Sequence, residues 1–240
     1  TLRPACQRLM VIDDLADRLH DCDLLLDQNL GRTKRDYDCL LAPVTKTLIG
    51  PKHALLRPEF AQWRSYSLAR RNHSQLKNLL ITMGGVDEGN VTGQVLDALK
   101  VCELPEDLRI MVVMGLHSPW LEQVKEQAGD MPWPTQVLAN VNNIAQLMSD
   151  SDLAIGAVGS TAWERCCLGL PTIQLVLADN QKEAATAIAD LQAAISLDKG
   201  VALPQTIQQI TAKKLHHMAV NASMLCDGQG TISITNEMLN

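Results

Sequence analysis

Asp152-Leu-Ala-Ile-Gly-Ala-Val-Gly-Ser-Thr-Ala-Trp-Glu164 is the stretch whose reading decides the fold, together with Leu168-Gly-Leu-Pro171 and Ala178-Asp-Asn-Gln181 behind it. It reads as a strand, a tight loop of small residues, a helix start, a helix, a Gly-x-Pro exit, a second strand and a second polar loop. That order gathers free backbone N–H groups at a helix start and sets a carboxylate about one turn inside it. Backbone donors at a positive helix end suit a diphosphate. A nearby carboxylate suits a sugar diol.

Outward from this stretch, strands and helices alternate. The apolar runs Leu79–Met83, Ile110–Met114, Thr135–Leu138, Leu153–Gly156 and Thr172–Val176, and a short one at Ala194–Leu197, read as strands. Helices are expected over 89–101, 119–129, 142–149, 160–169, 180–191 and 204–217. Such alternation implies right-handed βαβ units, and continuous apolar strands imply a parallel sheet covered on both faces. The class is α/β. Nearer the N-terminus, Leu9–Ile12, Leu24–Leu26 and Leu40–Ala42 read as shorter strands, and Pro51 to Pro58 as an extended crossing. Residues 64–75 are polar and weakly patterned, and are taken as the linker between two domains.

In open parallel sheets ligands bind beyond the carboxyl ends of the strands, which selects five loops. Gly84, Gly85, Asp87 and Asn90 follow the first strand of the series; they fit a ligand loop and equally a turn with Asp87 as N-cap. Gly115 ends the next strand, before a Ser118 able to cap a helix at Pro119. Asn142 lies in an Asn-rich loop that could offer groups to a base or merely form turns. Gly159, Ser160, Thr161 and Glu164 follow the central strand. Thr161-x-x-Glu164 also fits a capping box, but a plain cap has no need of Gly156, Ala157 and Gly159 before it. Asn180 and Gln181 carry side-chain amides able to bind sugar hydroxyls, or to open the next helix. Asp13-Asp14 also follow a strand and could face the cleft or simply be solvated.

Composition narrows the partners. Seven aromatic residues in 240 and a net charge of −6 argue against a nucleic-acid partner. No apolar run is long enough for a membrane span, and Thr1-Leu-Arg-Pro-Ala-Cys6 is no signal peptide. The seven cysteines lack CxxC or zinc spacing and read as reduced thiols of a cytoplasmic protein. No metal or other cofactor is called for. The chain opens without Met, almost directly into a strand, and a further N-terminal segment is expected.

Ile12-Asp-Asp-Leu-Ala-Asp-Arg18, Asp23-Leu-Leu-Leu-Asp-Gln-Asn29, Ala54-Leu-Leu-Arg-Pro-Glu-Phe60, Gly84-Gly-Val-Asp87 with Asn90, and Gly159-Ser-Thr-Ala-Trp-Glu164 with Asn180-Gln181 carry a resemblance over nearly the whole chain. They resemble the UDP-sugar hydrolases of pseudaminic acid biosynthesis. More distantly, the C-terminal part is similar to the N-acetylglucosaminyltransferase of peptidoglycan synthesis. The resemblance implies a glycosyltransferase-B fold of two Rossmann-like domains, with residues 1–63 an incomplete first domain and 76–240 the UDP-binding second. It implies that Glu164 binds the ribose and that Gly159, Ser160 and Thr161 meet the diphosphate. Family members release UDP from a diacetamido-trideoxyhexose by water attack at the anomeric carbon, without a metal.

One departure is large. The family's Gly-x-Gly-His loop, whose histidine is the candidate base, has no counterpart here, and neither His20 nor His53 matches it. About 100 residues of the family pattern are absent, most of a small domain. The chain is therefore expected to bind UDP or a UDP-sugar without turning it over alone. A UDP-sugar glycosyltransferase remains an alternative. So does a non-catalytic half that assembles with a partner chain or as a homo-oligomer through the exposed edge of residues 1–60.

Overall fold

The computed structural model describes residues 2–73, 75–198 and 202–239. Two parallel sheets organise the chain. The first contains β1 (Met10–Ile12), β2 (Leu24–Asp27) and β3 (Lys46–Ile49), in the order β1-β2-β3. The second contains β4 (Asn78–Thr82), β5 (Arg109–Met114), β6 (Thr135–Ala139), β7 (Leu153–Ala157), β8 (Thr172–Val176) and β9 (Ile195–Asp198). Its order is β6-β5-β4-β7-β8-β9, so the winding reverses between β4 and β7. That reversal is the place where an open α/β sheet forms a crevice.

The helices are α1 (Pro58–Arg70), α2 (Val91–Lys100), α3 (Leu121–Gly129), α4 (Ile144–Asp150), α5 (Thr161–Cys167), α6 (Lys182–Asp190), α7 (Leu203–Gln208), α8 (Ala212–Leu225) and α9 (Gly230–Leu239). Alternating side chains of the large sheet feed two cores. Leu79, Ile81, Leu153 and Ile155 meet Val95, Leu96 and Leu99 of α2 and Leu215 and Met218 of α8. Leu80 and Ala154 meet Phe60 of α1, Met148 of α4 and Trp163 of α5. Each fully buried Leu or Ile contributes about 1.5–3 kcal/mol relative to exposure, which is why these runs read so clearly as strands. In the small sheet β2 is buried on both faces: Leu24 and Leu26 pack with Leu48 and Ile234 of α9, and Leu25 packs with Tyr37.

Four sequence expectations need correction. The third N-terminal strand is Lys46–Ile49, not Leu40–Ala42, which makes only a single bridge from Leu41 to His20. Pro51–His53 form a 3₁₀ turn rather than an extended crossing. The helix expected over 204–217 is two, α7 and α8, and α9 follows them unforeseen.

The stretch 64–75, taken as the linker, is largely helical, although Ser74 lies outside the described residues. It holds the second half of α1 and a 3₁₀ turn, Arg71–His73. Its polarity has a structural use. Arg64 donates to the carbonyls of Cys167, Ser223 and Cys226, and buried Arg71 to those of Met148, Ser151 and Leu168. These are the ends of α5, α8 and α4, where helices leave carbonyls unpaired and favour positive charge.

Candidate functional site

A cavity of about 360 Å³ opens where the carboxyl ends of the two sheets face each other. One wall comes from the first sheet: Asp13 and Asp14 after β1, and Gln28 and Asn29 after β2. The opposite wall comes from the second: Gly159 and Ser160 after β7, and Asn180 and Gln181 after β8. The volume lies in the range of ordinary ligand sites.

The first wall is a closed hydrogen-bond network. The Asp13 side chain is fully buried. Its Oδ2 accepts from the amides of Leu15 (3.3 Å) and Ala16 (2.8 Å) and from the Tyr37 hydroxyl (3.0 Å). Its Oδ1 lies 3.2 Å from His20 Nε2 and 3.5 Å from Arg18. Buried Asp27 accepts from the Asn29 amide (2.9 Å) and contacts the same Tyr37 hydroxyl at 2.8 Å. A phenol carries one proton, for which the two carboxyl groups compete. Burial pushes Asp27 above the usual carboxylate range. Burial also pushes Asp13 upward, but the Ala16 amide, Tyr37 and His20 together outweigh it and hold the carboxyl below its ordinary value. The Tyr37 hydroxyl thus bridges a carboxyl that burial favours in its neutral form, Asp27, and one that its partners hold ionised to lower pH, Asp13. Arg32 extends the wall, lying 3.9 Å from Asp27 and 3.3 Å from Glu183 of α6.

The second wall is open. Gly159 and Ser160 are exposed. Among the described residues their amides have no protein acceptor, whereas the next two close turns, Ala162 N onto Gly159 O (2.9 Å) and Trp163 N onto Ser160 O (3.1 Å). The capping box that Thr161-x-x-Glu164 would also fit does not form. Thr161 is already the first helical residue, and Ser160 before it makes no side-chain cap. Thr161 Oγ1 instead accepts from Arg165 (3.2 Å). Glu164 is half-buried one turn into α5 and does not line the cavity. Burial raises its pKa, against the pull of Arg57 and Arg165 and with a push from Glu59. Asn180 and Gln181 sit in a 3₁₀ turn, and Gln181 Oε1 accepts from the Leu177 amide (2.9 Å).

The remaining sequence candidates lie elsewhere. Gly84, Gly85 and Gly115 form one tight loop pair: a Cβ on Gly115 would stand 1.9 Å from Gly85 O, so no other residue fits without moving a loop. Both oxygens of Asp87 are occupied, by the amides of Val91 (2.8 Å) and Thr92 (2.9 Å), and Asn90 Oδ1 takes that of Gly93 (3.1 Å). These two side chains cap α2. Ser118 does not cap α3, which begins at Leu121; its hydroxyl donates to Val86 O. Asn142 is exposed in the loop before α4. Sequence reasoning missed Gln28 as a wall residue and Arg165 altogether. Placing Gln28 two residues after the Leu24–Leu26 run could have found it; nothing local marks Arg165. Among the described residues no cluster of His, Cys, Asp and Glu could hold a metal, and no helix is long and apolar enough to cross a membrane.

The profile described as "Glycosyltransferase family 28 C-terminal domain" matches residues 78–229, more than half of the chain. The chain belongs to that family. Its curated relatives include the spore coat polysaccharide biosynthesis protein SpsG of Bacillus subtilis, 29% identical over 199 residues, covering 80% of this chain and 57% of that protein. They also include the UDP-2,4-diacetamido-2,4,6-trideoxy-beta-L-altropyranose hydrolase of Campylobacter jejuni, 28% identical over 170 residues, covering 71% of this chain and 58% of the hydrolase. The chain thus spans little more than half the length of either relative. Among solved structures, MurG of Acinetobacter baumannii superposes with a TM-score of 0.72 at 18% identity, over 99% of this chain and 68% of MurG. The glycosyltransferase WaaG gives 0.52 at 16% identity, over 99% and 78%. The fold is that of the glycosyltransferase-B enzymes.

Proposed function

We propose that this chain carries the nucleotide-binding half of a UDP-sugar hydrolase of surface-polysaccharide biosynthesis, with the diphosphate and sugar held in the cavity between the sheets. The observation that carries this is that Gly159 and Ser160, whose amides have no acceptor among the described residues, line the cavity beside Asn180 and Gln181. Successive free amides form an anion-binding concavity, and bonds to charged oxygens are the strong kind. Glu164, free of any capping duty, is assigned to the ribose hydroxyls; Gly84, Gly85 and Gly115, whose loop follows β4 at the winding reversal, and Asn142 are assigned to the nucleoside side. In the full reaction water forms a bond to the anomeric carbon, the carbon–oxygen bond to the β-phosphate breaks, and UDP leaves. The Campylobacter relative, named for that hydrolysis on a diacetamido-trideoxy sugar, supports this substrate class.

A second reading has its own support. The matching family is described as a glycosyltransferase domain, so the same site would serve transfer to an acceptor. Incubation with a UDP-sugar separates the two. UDP released in water alone, in the presence of whatever chain completes the cleft, supports hydrolysis; release only on adding an acceptor supports transfer. Titration of UDP tests the site itself, and an affinity indistinguishable from that of uridine would sink it.

A further inference from the structure

Arg165 is only 1% exposed and is among the largest fully buried side chains of the protein. Its guanidinium reaches back along α5 to the loop that forms the open wall. Nη2 donates to Ala157 O (2.8 Å) and Nη1 to Thr161 Oγ1 (3.2 Å), so the side chain clips the loop at both ends. Both acceptors are neutral. Nε has none. The Glu164 carboxylate acts on it only through space. The other deeply buried arginine, Arg71, is wrapped by Ser67 Oγ and the carbonyls of Met148, Ser151 and Leu168.

Room for the guanidinium is built into β7. A Cβ on Gly156 would stand 2.8 Å from Arg165 Nη1 and 3.0 Å from Thr82 O. A buried ion without a partner is costly, and proteins normally supply one. Here the positive charge is tied to Ala157 and Thr161, the residues that flank Val158, Gly159 and Ser160 of the cavity wall. In the protein interior the charge is weakly screened. Burial lowers Arg165 to about 10, which leaves it cationic at neutral pH.

We infer that Arg165 is a positioning residue of the anion site: it fixes the Ala157–Thr161 loop, and its missing counter-charge is the diphosphate of the bound nucleotide. This rests on the nucleotide reading above and adds to it the residue that makes the site select charge. In the free protein the guanidinium is held by neutral acceptors, and the bound diphosphate supplies the counter-charge.

The test is a set of titrations with UDP, UMP and uridine on the wild type, Arg165→Met and Arg165→Lys, with thermal melts of each free protein. The expected result is that Arg165→Met lowers the UDP-to-uridine affinity ratio on the order of tenfold or more. Uridine affinity and the free protein's melting temperature should hold or rise. Arg165→Lys keeps the charge but not the fork, and should retain most of the ratio. A folded Arg165→Met with an unchanged ratio would overturn the inference, as would a Lys variant that loses the ratio as fully as Met. If Arg165→Met does not fold, Arg165→Lys is read against the wild type: a ratio near that of the wild type supports the inference, and a loss of about tenfold or more overturns it. Wild-type protein that does not distinguish UDP from uridine would overturn the nucleotide reading itself, and this inference with it.

Discussion

The two walls of the cavity solve opposite problems. On the wall from the first sheet, Asp13, Asp27 and Tyr37 satisfy one another and the backbone around them, sharing a proton, and leave little for a ligand to complete. On the wall from the second, two loop amides, and the Nε of the buried arginine that holds their loop, lack acceptors among the described residues. A satisfied network is rigid and stabilising, and an unsatisfied one waits for a ligand. Substitutions in the first wall should therefore change stability, and substitutions in the second should change binding.

The largest expected effect is on stability. Asp13→Ala strands the Tyr37 hydroxyl and the amides of Leu15 and Ala16, at a cost on the order of 3 kcal/mol, read by urea unfolding. Asp27→Asn should cost less, under about 1 kcal/mol, because burial already favours the neutral form of Asp27 and an amide keeps a polar group beside Tyr37. Equal losses would break the contrast between the two carboxyls. Next come the binding variants. Ser160→Pro deletes one loop amide, and the Ser160 φ of −55° already suits proline. Calorimetry should show UDP binding weakened about tenfold, the value of a bond to a charged group, with melting unchanged. Glu164→Ala should weaken UDP to a similar degree without destabilising the fold, since no cap is lost.

Smaller effects sharpen the contrast. Asp87→Ala should cost about 1 kcal/mol as a lost helix cap and leave UDP affinity alone; a binding defect would return Asp87 to the site. The two carboxyls also differ in pH response. Asp13 is depressed in the folded state, so its stabilisation is present above the unfolded value of 3.8 and is lost as pH falls through the lower folded value. Asp27 is raised, so its effect has the opposite sign: stability falls as pH climbs from 3.8 through the higher folded value. Against wild type, Asp13→Asn should flatten the acid limb of unfolding midpoint against pH, and Asp27→Asn should remove the decline above it.

Most of the second sheet was legible because its strands are buried on both faces and rich in apolar residues, as in Leu79–Ile81 and Thr172–Val176. The first sheet was less so. Edge strand β3 buries only Leu48, so Lys46-Thr47 hid it, while Leu40 and Leu41 pack beside Tyr37 without joining a strand. Helix α1 was hidden because Arg64 and Arg71 look solvated in sequence, yet their charge serves buried carbonyls. Gly159, Ser160, Asn180 and Gln181, chosen by the rule on strand ends, line the cavity. Arg165 was invisible because Glu-Arg on a helix ordinarily marks an exposed face, and only the fold turns that residue inward.

The most direct test of the central claim is amide NMR of the free protein during UDP addition. The account predicts the largest shifts at the amides of Gly159 and Ser160, with those of Val91 and Thr92, already bound by Asp87, nearly still. Shifts that leave Gly159 and Ser160 untouched while UDP binds elsewhere would contradict it.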